Sequence, residues 1–165
     1  MYKRQVGNSF VIPSGPLREP LRSISRADCI VINGEKNLEL EKKLNNNSNK
    51  KKLPIFYSKY VIKNIEKLKN KEIVAFAGIG NPSNFFNLLK ENKLNIKKTY
   101  SFPDHHDYSQ KDFDKIEGNT STIIVTTEKD YYRIHDNQKQ NIYCVKVELE
   151  IENEDKLKDL IKQYL

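Results

Sequence analysis

Apolar positions along the chain follow two alternating periods. Short β-rich runs at 29–33 (CIVIN), 54–60, 73–77 (IVAFA), 96–102 and 122–127 read as strands, with a last one at 141–149. Amphipathic stretches lie between them. One follows Asn81-Pro82, where Asn can cap free amides and Pro fits the first turn, and it turns Phe85, Phe86, Leu88 and Leu89 inward. A second follows Ser109, with Asp112 completing a capping box. A short third runs over 128–134 behind Thr127, and the closing helix begins at Asn153 and presents Leu157, Leu160 and Ile161. Strands that alternate with crossover helices predict an α/β fold, a layered α/β/α sandwich around a mostly parallel sheet. Such sheets gather ligands at the carboxyl ends of their strands, and the polar motifs of this chain fall there.

Composition narrows the reading further. A length of 165 residues suits one compact domain. No apolar run reaches the roughly 18 residues of a membrane span. Cys29 and Cys144 lie in apolar runs without metal-knuckle or disulfide spacing, so both read as core thiols of a reducing cytoplasm. The net charge of +7 rests on 24 Lys against 5 Arg, beside 18 Asn and 17 Ile, a composition typical of AT-rich coding. It says little about partners, and no nucleic-acid partner is expected. The run EKKLNNNSNKKK has no interleaved aromatics and reads as a solvated loop at 41–53. Residues 1–5 (MYKRQ) read as a translated sequencing-adapter scar, 6–26 as a linker with a Gly-Pro-Leu-Arg-Glu motif, and 27–165 as one α/β domain.

Four motifs can carry chemistry. In Pro13-Ser14-Gly15-Pro16-Leu17-Arg18-Glu19-Pro20, prolines and a glycine direct the chain around an Arg whose planar fork can hold phosphate. A turn with a surface ion pair is the plainer reading of the same residues, with Arg22 and Arg26 facing solvent. Gly78-Ile79-Gly80-Asn81-Pro82 is a strand-to-helix turn whose amides can face an anion, but it has neither the GxxxxGK[ST] phosphate loop nor a third glycine. Phe102-Pro103-Asp104-His105-His106-Asp107-Tyr108 brings imidazole and carboxylate together after a strand, as proton transfer from a hydroxyl requires. Thr126-Thr127-Glu128-Lys129-Asp130, with Arg133 one turn on, places hydroxyls, amides and a cation where an anion can sit. Helix capping on a solvated face explains it equally well.

In this order, GNxxxxPxGPLREP, AFAGIGNPxxFF, FPDHH and TTEKD followed by Arg resemble the C-terminal half of the tetraacyldisaccharide 4'-kinase family, from Gly7 to about Leu149. The resemblance implies a P-loop-type kinase fold in two α/β domains joined by a β linker, with the reaction in the cleft between them. It implies transfer of the ATP γ-phosphate to the 4'-hydroxyl of tetraacyldisaccharide 1-phosphate, a glycolipid, in lipid A biosynthesis. ATP and Mg2+ would be bound mainly by an N-terminal half upstream of Gly7, which would also make the peripheral contact with the cytoplasmic face of the inner membrane. By position, His105 would belong to a catalytic Asp and His pair, with Asp104 orienting it or lying near the metal. Arg18 and Glu19 would border the cleft, Arg18 stabilising phosphate charge, and Lys129 and Asp130 would serve as further cleft residues. No metal ligand is assigned to this chain, and the fragment alone is expected to be a soluble, inactive piece. Two other classes compete: an Asp-His-His metal phosphoesterase, and a non-catalytic basic binding module.

Overall fold

The computed structural model describes residues 6–48, 52–116 and 122–164. The adapter-like residues 1–5 and residues 49–51 of the polar run lie outside them. The chain divides into two compact units, Met1–Lys59 with Leu149–Leu165, and Tyr60–Glu148. This division cuts across the expected boundaries of 6–26 and 27–165. Its boundaries fall inside two strands, where a sequence gives no linker signal.

In the first unit, β1 (Ile30–Asn33) pairs in parallel with β2 (Ile55–Ile62), with Ile30 opposite Ile55 and Asn33 opposite Ser58. The sheet has the order β1-β2-β7, with β7 spanning Val147–Ile151. Between β1 and β2 runs helix α1 (Leu38–Asn47). Its Asn37 cap accepts from the Leu40 amide at 3.0 Å, and Glu39 and Glu41 sit in the first turn, where acids favour the helix dipole. Leu40 and Leu44, four residues apart, pack with Ile32 and Tyr57. The expected loop at 41–53 is therefore helical as far as Asn47. Polar composition marked its solvent face, whereas two leucines on the other face and a good cap decide its conformation. Helix α5 (Glu154–Lys162) closes this unit and buries Leu157.

The second unit is a four-stranded, wholly parallel sheet in the order β4-β3-β5-β6. These strands are β3 (Glu72–Ala77), β4 (Asn95–Ser101), β5 (Thr122–Thr127) and β6 (Ile142–Val145). β3 is central, and its strand period divides the core. Ile73, Ala75 and Ala77 face α2 (Pro82–Glu91) through Phe85, Phe86 and Leu89. Val74 and Phe76 face Tyr108 and α3 (Gln110–Ile116) through Phe113 and Ile116. The layered α/β arrangement expected from the pattern is present here.

Local differences have local causes. The expected strand at 141–149 breaks at Lys146, so β6 and β7 enter different sheets. Asn64 makes the break: its amide donates to the Cys144 carbonyl at 2.8 Å, and its Oδ1 accepts from the Lys146 amide at 2.9 Å. Asn81 precedes α2 but makes no side-chain cap, leaving Pro82 as the start signal. The helix behind Thr127, α4, ends at Tyr131 rather than at Ile134. Neither cysteine is a core thiol: both are half-buried.

Candidate active site at the sheet switch point

From β3 the chain crosses to β4 on one side, and from β5 it crosses to β6 on the other. The carboxyl ends of β3 and β5 therefore flank a topological switch point, the place where open α/β sheets leave a crevice. Three loops meet there, following β3, β4 and β5.

Asp130 ties the first loop to the third. It is 0 % exposed, and its Oδ2 accepts from the Gly78 amide at 3.0 Å and from the Thr127 hydroxyl at 2.8 Å. Thr127 Oγ1 in turn accepts from the Asp130 amide at 3.1 Å, which caps α4. Gly78 permits the approach. A Cβ on it would meet the Tyr108 hydroxyl at 2.7 Å and the Pro103 carbonyl at 3.1 Å. Burial, then the Asp130 carboxylate, raises the Tyr108 hydroxyl far above its ordinary range. The Gly78 amide is thus used internally, which corrects the expectation that it faces an anion. Asp130, expected as a cleft residue, is a buried strut.

The second loop carries the imidazole. The Phe102 amide donates to the Ala77 carbonyl at 2.9 Å, and the His105 amide donates to the Gly78 carbonyl at 3.3 Å. His105 has a φ of 63°, a left-handed conformation that turns its ring outward. His106 goes the other way. Its ring stacks on Phe102 at 4.7 Å, and its Nε2 lies 3.2 Å from Asp112 Oδ2. The same oxygen accepts from the Ser109 hydroxyl at 2.7 Å and amide at 2.9 Å, as a capping box with Asp would have it. These bonds from Ser109 hold the Asp112 carboxyl down at about 2. Of the adjacent histidines, one is an anchor and the other is presented.

The His105 side chain is 70 % exposed, with Nε2 at 3.7 Å from Asp104 Oδ2. Asp104 Oδ1 accepts from Lys129 Nζ at 3.1 Å and from the His105 amide at 3.0 Å. The Lys129 hydrogen bond holds the Asp104 carboxyl below its ordinary value. Arg133 Nη2 meets His105 Nδ1. The structure thus gathers Asp104, His105 and Lys129 on one rim, with Asp130 beneath. It adds Arg133, whose sequence signal was its place one turn after Asp130 among few arginines. Such a rim has a polarisable imidazole, a carboxylate and two cations, the components for moving a proton beside an anionic group.

Arg18 and Glu19 lie in the other unit. Asn8 and Gly15 shape their loop: Asn8 Nδ2 donates to the Ser14 carbonyl at 2.8 Å, and a Cβ on Gly15 would strike the Phe10 carbonyl. Arg18 is exposed, and Glu19 pairs with Arg26 at the end of a 3₁₀ turn, Leu21–Arg26. The surface ion pair read from this segment is real, although its cation is Arg26.

Among the described residues, no three His, Cys, Asp or Glu side chains gather as a metal site, so the structure does not support the metal-phosphoesterase reading. No helix among them is long and apolar enough to cross a membrane.

Fold and site together define an α/β domain of the P-loop kinase type that has no phosphate loop within its 165 residues. The family of tetraacyldisaccharide-1-P 4'-kinases matches residues 2–165, and the chain belongs to it. It is 40% identical over 161 residues to the tetraacyldisaccharide 4'-kinase of Pelagibacter ubique, covering 92% of this chain and 50% of that protein. The Rickettsia canadensis enzyme of the same name is 39% identical over 166 residues, covering 96% and 48%. A crystal structure of LpxK from Aquifex aeolicus in complex with ATP superposes with a TM-score of 0.65 at 28% identity, covering 94% of this chain and 48% of that one. The chain spans about half the length of the curated relatives it matches.

Proposed function

We propose that this chain acts as the His105-bearing half of a tetraacyldisaccharide 4'-kinase, which transfers the ATP γ-phosphate to the 4'-hydroxyl of tetraacyldisaccharide 1-phosphate. The observation that carries the reading is the rim of Asp104, His105 and Lys129 at the switch point of a chain that matches the family throughout. In this role His105 helps draw the proton from the sugar hydroxyl. Asp104, pinned by Lys129, orients the ring, and Lys129 supplies charge toward phosphate. Arg18 serves as a further phosphate contact, with Glu19 beside it.

ATP and Mg2+ are placed outside these residues. Asp104 already faces a cation, the Gly78 amide already faces Asp130, and there is no phosphate loop. Phosphoryl transfer depends mainly on positioning and charge stabilisation by those parts, so the 165 residues alone should show no turnover. The substrate is a glycolipid, and the reading places the working enzyme peripherally on the cytoplasmic face of the inner membrane.

The test is His105→Ala in a full-length kinase containing this chain, assayed with ATP and tetraacyldisaccharide 1-phosphate. A fall in kcat of about 10² to 10⁴-fold with a smaller change in KM is expected. An unchanged kcat removes His105 from the mechanism, and turnover by the 165 residues alone overturns the division of labour.

A further inference from the structure

We infer that Arg133 is a positioning residue that locks His105 in one tautomer, with the ring hydrogen on Nε2 and the Nδ1 lone pair covered. The inference rests on His105 being the working imidazole. A guanidinium carries donors only and stays protonated, so an Arg133 N–H against Nδ1 requires Nδ1 to be the acceptor. In a neutral imidazole the hydrogen then sits on Nε2. Nε2 is the nitrogen on the Asp104 side, 3.7 Å from Oδ2.

The surroundings make Arg133 a fixed partner rather than a passing one. Its amide donates to the Asp130 carbonyl at 2.9 Å, immediately past α4, so its backbone moves with the buried strut. Its Nη1 is buried and has no hydrogen-bond partner among the described residues, while Nη2 meets the ring. On the other side, the left-handed backbone of His105 and its amide bonds to Gly78 and Asp104 hold the ring's origin. The imidazole is therefore held at its base and at Nδ1, with Nε2 left on the Asp104 side.

Chemically, this sets the direction of proton traffic. With Arg133 in place, His105 is a donor at Nε2, so its share in drawing the proton from the sugar hydroxyl is to hold the carboxylate of the Asp and His pair through Nε2–H, rather than to take the proton itself. To accept a proton at Nδ1 the ring must first leave Arg133, because an imidazolium N–H and a guanidinium N–H repel.

The experiment is long-range proton–nitrogen NMR on the chain labelled with ¹⁵N at its three histidines and at arginine, at a pH where imidazoles are neutral. The expected result for His105 is a protonated Nε2 and an unprotonated, hydrogen-bonded Nδ1, with a scalar coupling from Nδ1 to an Arg133 Nη. In Arg133→Leu the coupling disappears and the His105 Nδ1 signal shifts downfield toward a free lone pair, while the His106 signals, read from the Phe102 stack, stay in place. Arg133→Lys, which restores a donor, moves the Nδ1 signal back part of the way. A protonated Nδ1 in the wild-type chain overturns the proposal. So do His105 signals identical in wild type and Arg133→Leu. Should the Leu variant lose the His106 signals as well, the wild-type tautomer and coupling decide alone. The kinetic test of His105 is separate: an unchanged kcat would end the catalytic reading and leave the tautomer result standing.

Discussion

Asp112→Asn tests how the loop that presents His105 is held. One carboxylate oxygen accepts from the Ser109 amide and hydroxyl and lies 3.2 Å from His106 Nε2, and its side chain is only 14 % exposed. A carboxyl titrating at about 2 in the folded chain against an ordinary 3.8 stabilises the fold by about 2 kcal/mol at neutral pH. Solvent reaching this loop edge reduces that to about 1–2 kcal/mol. Because the folded-state value is the lower one, the contribution is complete above about pH 4 and disappears as pH falls toward about 2. The Asn side chain keeps an acceptor and loses the charge. The variant should therefore be less stable by about 1–2 kcal/mol at neutral pH, and the gap should close near pH 2. Urea unfolding followed by circular dichroism across that range measures it, and comparing the two chains at each pH cancels the other carboxylates. A gap that stays constant with pH, or no gap at neutral pH, refutes the account of this anchor.

Three further outcomes follow from the same loops. Gly78→Ala should cost about 1–3 kcal/mol, because its Cβ would meet the Tyr108 hydroxyl at 2.7 Å. Adding Tyr108→Phe should recover part of that loss, and strict additivity of the two in unfolding experiments would contradict the contact. Asp130→Ala should cost about 2–4 kcal/mol by stranding the Gly78 amide and the Thr127 hydroxyl, with hydrogen exchange at Gly78 rising as the direct readout. Lys129→Met should let the Asp104 carboxyl titrate upward toward its ordinary 3.8, as followed by carboxyl-carbon NMR; a titration identical to wild type would remove the Lys129 contact from the site's electrostatics.

The strands that became β3 and β5 were legible because a short β-branched or aromatic run between turn residues has few other conformations that bury it. Pro82 announced α2, and Ser109 with Asp112 announced α3, through chemistry that acts over three residues. His105 and Asp104 stood out by their side chains. Their neighbour His106 looked equivalent, and its inward turn onto Phe102 depends on a ring from β4's end and an acid from α3.

What the chain's own pattern determined was therefore everything set by neighbours a few residues apart: strand and helix periods, most caps, and the presence of an imidazole and carboxylate in a loop after a strand. Tertiary structure decided the rest. The β4-β3-β5-β6 order places Gly78 beside Asp130, 52 residues away, and brings Arg133 to His105 across 28. Asn64 divides one apparent strand between two sheets from about 80 residues upstream. The physical reason is range. Hydrogen bonding and burial within one element are encoded in adjacent side chains, whereas the order in which parallel strands pair depends on which crossovers let the central strands bury both faces at once.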